Sequence, residues 1–250
     1  MERLLLSSST GLFGLAWGLS PRRGTRKLSR LVAWLGVLTG LVYLFARYYG
    51  AWPMTPMYLG SVAVPPFLAL FGLWSARPTQ GGPHWPGWPL TLGLVFCLDL
   101  LSVFFPKDFY LPFLKTASLF SQAHLLFCFL GKAAFLLAGV WAGLRLWAGP
   151  GAENGQTRLW LALGFALWTL AMLTGEAWSY LGWGLPVVWD EAVIVCFMAS
   201  WFYYAAVLHL FVTSRWPRAR LYLAVAGLVW VPLVNVLPDL GPWRWPPSLG

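Results

Sequence analysis

Seven long apolar stretches, joined by short loops, follow one another along the chain, and this alternation limits the folds available to it. Each stretch has close to the ~20 residues that an α-helix needs to cross the core of a bilayer. The stretches are residues 31–49, 57–75, 88–105, 122–147, 159–178, 190–212 and 221–237. Only 10% of the 250 residues are charged, whereas soluble domains carry about 25%. A membrane protein is therefore predicted, because so few charges cannot cover a water-facing surface.

A weaker apolar stretch, residues 4–19, precedes these seven. It is short and contains the polar run SSST. Its basic cluster comes after the apolar residues, whereas a signal peptide carries positive charge in front of them. We therefore predict an all-α, polytopic transmembrane bundle of eight helices, or of seven if this stretch does not span. Residues 1–250 are expected to form a single transmembrane domain, because no loop is long enough to fold separately.

Basic residues are concentrated in alternate loops, where the positive-inside rule places them on the cytoplasmic side. They are Arg22, Arg23, Arg26, Lys27, Arg30, Arg77, Arg145, Arg158, Arg215, Arg218 and Arg220. A net charge of +9 also suits nucleic acid, but short loops between apolar stretches do not make a nucleic-acid-binding face. No nucleic-acid partner is predicted. We expect a plasma- or inner-membrane protein surrounded by lipid, with segments 50–57, 105–116 and 175–191 outside.

The outer segment 175–191, GEAWSYLGWGLPVVWDE, is rich in aromatic residues. It contains Trp178, Trp183 and Trp189, followed directly by Asp190. One interpretation is an interfacial aromatic belt, which is common in membrane proteins. The other is a surface on which a flat apolar ligand stacks.

Four ionisable residues inside the predicted spans are of note: Asp99, His124, Lys132 and His209. Such groups are costly in a bilayer and face a partner or a cavity. A single histidine is more often a packing residue, but these two lie near opposite membrane faces, and imidazole is a common axial ligand of haem iron. Asp99 and Lys132 either form a buried ion pair or serve as separate sites.

The three cysteines, Cys97, Cys128 and Cys196, all lie within apolar stretches. No two of them form a CxxC pair. They are interpreted as small packing residues and predict no disulfide framework.

The segment 175–191 resembles the tryptophan-rich WWD signature, W-G-x-x-W-x-W-D preceded by G-x-x-W, of haem-handling membrane proteins in cytochrome c biogenesis. The matching residues are Gly175, Trp178, Trp183, Gly184, Trp189 and Asp190. One central Trp of the signature is Val187 here, and the Pro-Lys-Glu run that follows it in the family is absent.

Three other segments extend the resemblance over most of the chain from about residue 31. GAWPMTPMY, residues 50–58, is similar to a conserved outer segment of the family. SQAHLLF aligns His124 with the family's outer haem-ligand histidine, and WFYYAAVLH aligns His209 with its intramembrane histidine. The whole is most similar to the CcsA/ResC-type branch, which typically has eight helices.

The resemblance implies a function in delivering haem. Haem b would enter near His209, pass to the outer face, stack on the Trp-rich segment and be ligated by His124. It would then be presented to an apocytochrome c, with this chain working beside a CcsB/ResB-like membrane subunit. If enzymatic, the chain would be one component of a holocytochrome c synthase. Asp190 would orient the segment or meet a polar haem edge, or it would only cap a helix.

One more departure, added to Val187 and the absent Pro-Lys-Glu run, keeps other functions open. The family's second outer histidine has no counterpart, because the region after residue 231 contains no His. This divergence also suits a haem-binding regulator or accessory protein of haem metabolism. A third hypothesis is a transporter of another small apolar solute that uses Asp99 and Lys132.

Overall fold

The computed structural model describes residues 2–52, 54–75, 87–107, 110–111, 117–148, 155–213 and 216–242, and helices dominate there. The helices are α1 (Glu2–Leu19), α2 (Arg26–Ala51), α3 (Gly60–Ser75), α4 (Gly87–Phe104), α5 (Leu119–Ala148), α6 (Gly155–Trp183), α7 (Ala192–Val212) and α8 (Pro217–Asn235). The described residues add two-residue strands, β1 (Thr55–Pro56) and β2 (Tyr110–Leu111), and 3-10 turns at Arg23–Thr25 and Leu237–Asp239. The predicted all-α polytopic bundle is confirmed, with eight helices in the part of the chain that the structure describes.

Six helices in the described part of the chain, α2 and α4 to α8, are long and apolar enough to cross a membrane. Helix α3 is apolar but has 16 residues, about 24 Å at 1.5 Å per residue, which is less than the ~30 Å hydrocarbon core. Glu2, Arg3 and the SSST run dilute the apolar character of α1. Residues 4–19 are therefore confirmed as helical, while their crossing of the membrane stays a prediction.

Several helices begin or end a few residues away from the predicted stretches, and two of these differences matter for the candidate site and its unit. Helix α3 begins at Gly60 instead of residue 57, because Tyr58 has a φ of +58°, a left-handed conformation outside the helical range. Helix α6 continues to Trp183, so Trp178 and Trp183 lie on a helix, and the loop reaches only from residue 184 to 191. The aromatic residues therefore occupy positions fixed by a helix.

The chain divides into two compact units, and the expected single domain stays a prediction. The first contains α1 to α4, in which α1 packs on α2 and α4, and α3 packs on the same two helices. Close packing relies on small residues, as is usual between membrane helices: a Cβ at Gly36 would lie 2.8 Å from the Phe13 ring. The Ser29 hydroxyl donates to the carbonyl of Ala16, 2.8 Å away, joining α2 to α1.

The second unit contains α5 to α8, with α5 as its most buried helix. Residues 131–140 of α5 are all buried, and α5 packs against α6 and α8 while α7 packs against the same two helices. Here too glycines permit close approach. A Cβ at Gly164 would lie 2.7 Å from the Phe135 ring, and one at Gly139 would lie 2.7 Å from Leu228.

Asp99 and Lys132, two of the buried charged residues on the helices, each have a partner within their own unit. Thr10 of α1 donates its hydroxyl to the Asp99 carboxylate of α4, 3.0 Å away. Lys132 of α5 donates from Nζ to the carbonyl oxygen of Asn235, 2.7 Å away, at the end of α8. The last carbonyls of a helix lack intrahelical partners, and a Lys near them is favourable. Both side chains therefore have a structural role in their unit.

Candidate functional site

His124 lies in the second turn of α5, and its imidazole is held by a main-chain carbonyl of α6. The Nδ1 atom is 2.8 Å from the oxygen of Ala171. A carbonyl oxygen can only accept a hydrogen bond, so Nδ1 must carry the hydrogen. In the neutral ring Nε2 then presents its lone pair, which is the form of histidine that binds metal ions.

Gly175 makes this close approach of the imidazole to α6 possible. It lies one helical turn after Ala171, and a Cβ at this position would be 2.7 Å from His124 Nδ1. Such a separation is too short for a carbon and a nitrogen atom, so a larger residue would displace the ring. Packing therefore explains the glycine at position 175, the first residue of the aromatic segment.

Cys128 occupies the other side of the ring, and the sequence analysis missed this contact. Its sulfur lies 3.6 Å from His124 Nε2, so the thiol is placed to donate to the lone pair. The signal was the H-x-x-x-C spacing, since residues four apart share a helix face. The interpretation of Cys128 as a packing residue alone is therefore incomplete.

Aromatic rings extend from His124 towards the exposed end of α6. The Trp178 ring is buried and its centroid is 5.5 Å from that of His124. Trp183 lies edge-on to Trp178 at 5.7 Å, and 51% of its surface is exposed. Phe197 of α7 closes the opposite side, 5.7 Å from the imidazole. The site thus has one buried and one accessible tryptophan, as an aromatic wall for a flat ligand requires.

The loop 184–191 turns the chain from α6 into α7. Gly184 has a φ of +77°, and the Ser179 hydroxyl donates to the Leu185 carbonyl across the helix end, at 2.7 Å. Trp189 is 62% exposed and Asp190 is also exposed. Helix α7 begins at Ala192 with Glu191 as its N-cap, so the interpretation of Asp190 as a helix cap is wrong.

His209 stands apart from these residues. It lies in the last turn of α7 and is exposed. Seventeen residues separate it from Ala192, about 26 Å at 1.5 Å per residue. The structure brings His124, Trp178 and Trp183 together, leaves Gly184, Trp189 and Asp190 in or beside the adjacent turn, and has His209 at the far end of the unit.

A layer of stacked rings supports the site from below. Trp168 of α6 stacks on Phe197 at 3.9 Å and an interplanar angle of 14°, and its indole N–H donates to the Phe197 carbonyl, 3.2 Å away. Phe135 of α5 stacks on Tyr204 of α7. These contacts join α5, α6 and α7. Because Phe197 touches both Trp168 and the imidazole, packing as well as the hydrogen bond holds His124.

The donor set suits the iron of a haem. The imidazole has one nitrogen fixed by a carbonyl and the other available as a ligand, the usual arrangement for a metal-binding histidine. Aromatic side chains beside it suit a flat, apolar macrocycle. Among the described residues, the Cys128 thiol lies against Nε2 and must move away before a metal ion can bind there.

Comparison with known proteins finds partial similarity to cytochrome c biogenesis proteins named CcsA. The cytochrome c biogenesis protein CcsA of Prochlorococcus marinus (strain MIT 9515) is 37% identical over 60 residues, 24% of this chain and 19% of that protein. CcsA of Thermosynechococcus vestitus is 37% identical over 83 residues, 30% of this chain and 24% of that protein. CcsA of Synechococcus sp. (strain JA-3-3Ab) is 32% identical over 87 residues, 34% of this chain and 25% of that protein.

These similarities are partial, since the matched part of the chain covers a quarter or less of the length of each of these relatives. No protein-family model matches the chain. No solved structure matches it either.

Proposed function

We propose that this integral membrane protein binds haem b as cargo and presents it to apocytochrome c during cytochrome c biogenesis. The observation that carries the proposal is the His124 imidazole, whose Nδ1 hydrogen bonds to Ala171 so that Nε2 is the available nitrogen. The partial similarity to CcsA proteins supports the same process.

In this proposal the aromatic end of the second unit receives the macrocycle. Trp178 and Trp183 form its wall, and Trp189 covers it from the loop that begins at Gly184. Asp190, exposed beside Trp189, meets a polar edge of the haem or a group on the acceptor protein. We expect this end to be extracytoplasmic, because the basic loops lie at the other end.

His209 is the second proposed haem ligand, at the place where haem enters from the cytoplasmic side. Its exposure at the end of α7 makes it accessible from lipid or from a neighbouring subunit. The residues after 231 contain no histidine to complete an outer pair. A CcsB/ResB-like membrane subunit, or the acceptor protein, therefore supplies the second axial ligand at His124.

Bound haem supplies vinyl groups to which cysteine thiols of an apocytochrome can add. This chain holds and orients the haem. His124 fixes the iron, the tryptophans fix the plane of the macrocycle, and the packed interior keeps water away from it. It needs no nucleophile of its own, so a part in a synthase complex is compatible with its residues.

The test is the absorption spectrum of the reduced protein, purified in mild detergent after coexpression with excess haem supply. We expect a Soret band and an α band typical of nitrogen-ligated haem, both weakened in His124→Ala and in His209→Ala. His84→Ala is the control, because His84 is the remaining histidine, although it lies outside the described residues. Absence of haem from every preparation would refute haem binding by this chain alone.

A haem-binding regulator or accessory protein is the second candidate. The missing second histidine, Val187 in place of a signature tryptophan, and the absent Pro-Lys-Glu run favour it. Restoring cytochrome c in a strain that lacks its CcsA-like protein would support the assembly role, whereas bound haem without restoration would support regulation. If the protein neither restores cytochrome c nor binds haem, transport of another apolar solute is the remaining hypothesis.

A further inference from the structure

Two arginines converge at the end of the second unit that lies opposite His124. Arg145 is in the last turn of α5 and Arg220 is in the first turn of α8, and these two helices pack together. Arg220 is only 8% exposed. Near this end the two helices are in contact, because a Cβ at Gly143 of α5 would lie 3.7 Å from Val225 of α8. Arg145 and Arg220 lie two and five residues from this contact, so two positive charges are placed at the same end of the packed pair. Two like charges brought together at a partly buried position are unfavourable unless an anion lies between them.

Hydrogen-bonding groups of both guanidiniums are buried without partners among the described residues. These groups are Nη1 of Arg145 and Nε of Arg220. The Arg220 guanidinium carbon lies 5.1 Å from the centroid of the Phe211 ring of α7, a cation–π contact that holds it in place. Buried donors are normally satisfied, so this arrangement calls for an acceptor that carries negative charge.

The described residues of the second unit offer no carboxylate at this end. Their acidic residues are Glu176, Asp190 and Glu191, which lie towards the opposite end, at or beyond the last turns of α6. The remaining acidic residue of the unit in the sequence is Glu153, between α5 and α6 and outside the described residues. The experiment must therefore distinguish an external anion from the Glu153 carboxylate as the partner of the two arginines.

Exposed tryptophans indicate the depth of this arginine pair in the membrane. Trp147 follows Arg145 by two residues and is 82% exposed, and Trp216, at the N-cap of α8, is 69% exposed. Exposed tryptophans concentrate at the level of the lipid headgroups. The basic loops predict that this is the cytoplasmic face, where anionic lipids are abundant.

We propose that Arg145 and Arg220 form a binding site for the phosphate group of an anionic phospholipid of the cytoplasmic leaflet. The planar guanidinium presents paired donors that match a phosphate. The lipid joins the end of α5 to the start of α8 and offsets the repulsion between the two arginines. The site is independent of haem and uses none of the residues assigned to haem binding.

The experiment is thermal unfolding of the full, delipidated protein in mild detergent, with four separate additions: dioleoylphosphatidylglycerol, dioleoylphosphatidylcholine, dioleoylglycerol and inorganic phosphate. We expect phosphatidylglycerol to raise the Tm most and dioleoylglycerol, which lacks phosphate, to have no effect. The apparent affinity for phosphatidylglycerol should fall about tenfold in Arg145→Gln and in Arg220→Gln, as the loss of a charged hydrogen bond predicts. Arg220→Lys should retain part of the affinity and serves as the second variant if Arg220→Gln does not fold.

Arg218→Gln is the matched control, since Arg218 is in the same turn of α8 but exposed. An equal loss of affinity in Arg218→Gln would overturn the site in favour of diffuse surface charge. An equal Tm rise with inorganic phosphate would overturn the lipid as ligand. If Glu153→Gln lowers the Tm and strengthens the response to phosphatidylglycerol, Glu153 is the natural partner of the arginines and the proposal is wrong.

Discussion

At the scale of single residues, the site depends on how closely one imidazole can approach a neighbouring helix. His124 reaches the Ala171 carbonyl because Gly175 has no side chain in the way. That hydrogen bond selects which ring nitrogen is left as a ligand. The Cys128 thiol lies 3.6 Å from that nitrogen. Two substitutions test these two statements separately.

Gly175→Ala is expected to lower the free energy of unfolding by about 1–3 kcal/mol, the usual cost of overpacking. Its Cβ would lie 2.7 Å from His124 Nδ1, so haem binding should weaken as well. Thermal unfolding in detergent and haem titration measure the two effects. Gly155→Ala is the control on the same helix, because it has open space around it and should change little. Equal losses of stability and haem binding in the two variants would contradict the close contact between residue 175 and His124.

Cys128→Ala is expected to leave haem binding intact or stronger, because it removes the thiol that faces Nε2. The protein should lose about 1 kcal/mol of stability, as is typical of a single core substitution. Haem titration of this variant beside Cys196→Ala, a half-buried cysteine on α7, is the measurement. A loss of haem as large as in His124→Ala would mean that Cys128 is itself a ligand.

At the scale of elements, the extension of α6 to Trp183 decides where the tryptophans lie. A loop would leave Trp178 and Trp183 free to move, whereas the helix holds them in a line from the imidazole to the surface. The helix ends at Gly184, whose positive φ is typical of a residue that follows a helix. The turn between α6 and α7 therefore depends on a glycine for conformational reasons.

Gly184→Ala is expected to destabilise the protein by about 1–2 kcal/mol, the cost of placing an L-residue with a Cβ in the left-handed region. A Cβ at Gly184 would have no atom within 4 Å of it, so a steric clash does not add to this cost. Gly184→Asn should lose less, since Asn tolerates this conformation better. Tryptophan fluorescence during unfolding measures the stability of both variants. Equal losses of stability in Gly184→Ala and Gly184→Asn would contradict backbone conformation as the cause.

At the scale of the whole molecule, the two four-helix units are each held by small residues and a few buried polar contacts. In the second unit, the aromatic site lies at one end, and His209 and the arginine pair lie at the other. A protein that moves or presents a ligand across a membrane needs distinct features on its two faces. The sidedness of the chain is therefore the property on which both proposals depend.

Single cysteines test this sidedness in a variant whose three native cysteines are replaced by alanine. A cysteine at Leu185, which is exposed, should react with a membrane-impermeant maleimide in intact cells. A cysteine at Arg218, also exposed, should react only after the membrane is permeabilised, as the positive-inside rule predicts. The reverse pattern would invert the topology and refute the proposed direction of haem transfer.

The amino-acid sequence by itself determined that this is an all-helical membrane bundle, because length and apolar character within each stretch are local properties that a bilayer selects. It also indicated His124 and the tryptophans as a group, through the resemblance of their segments to haem-handling proteins of cytochrome c biogenesis. Only the tertiary structure decided that α6 reaches Trp183, that Gly175 admits the imidazole, that Cys128 faces Nε2, and that the helix ends carrying Arg145 and Arg220 pack together. Each of these depends on which helix faces which at a few ångströms, and such contacts between distant parts of the chain leave no periodic pattern in a single sequence.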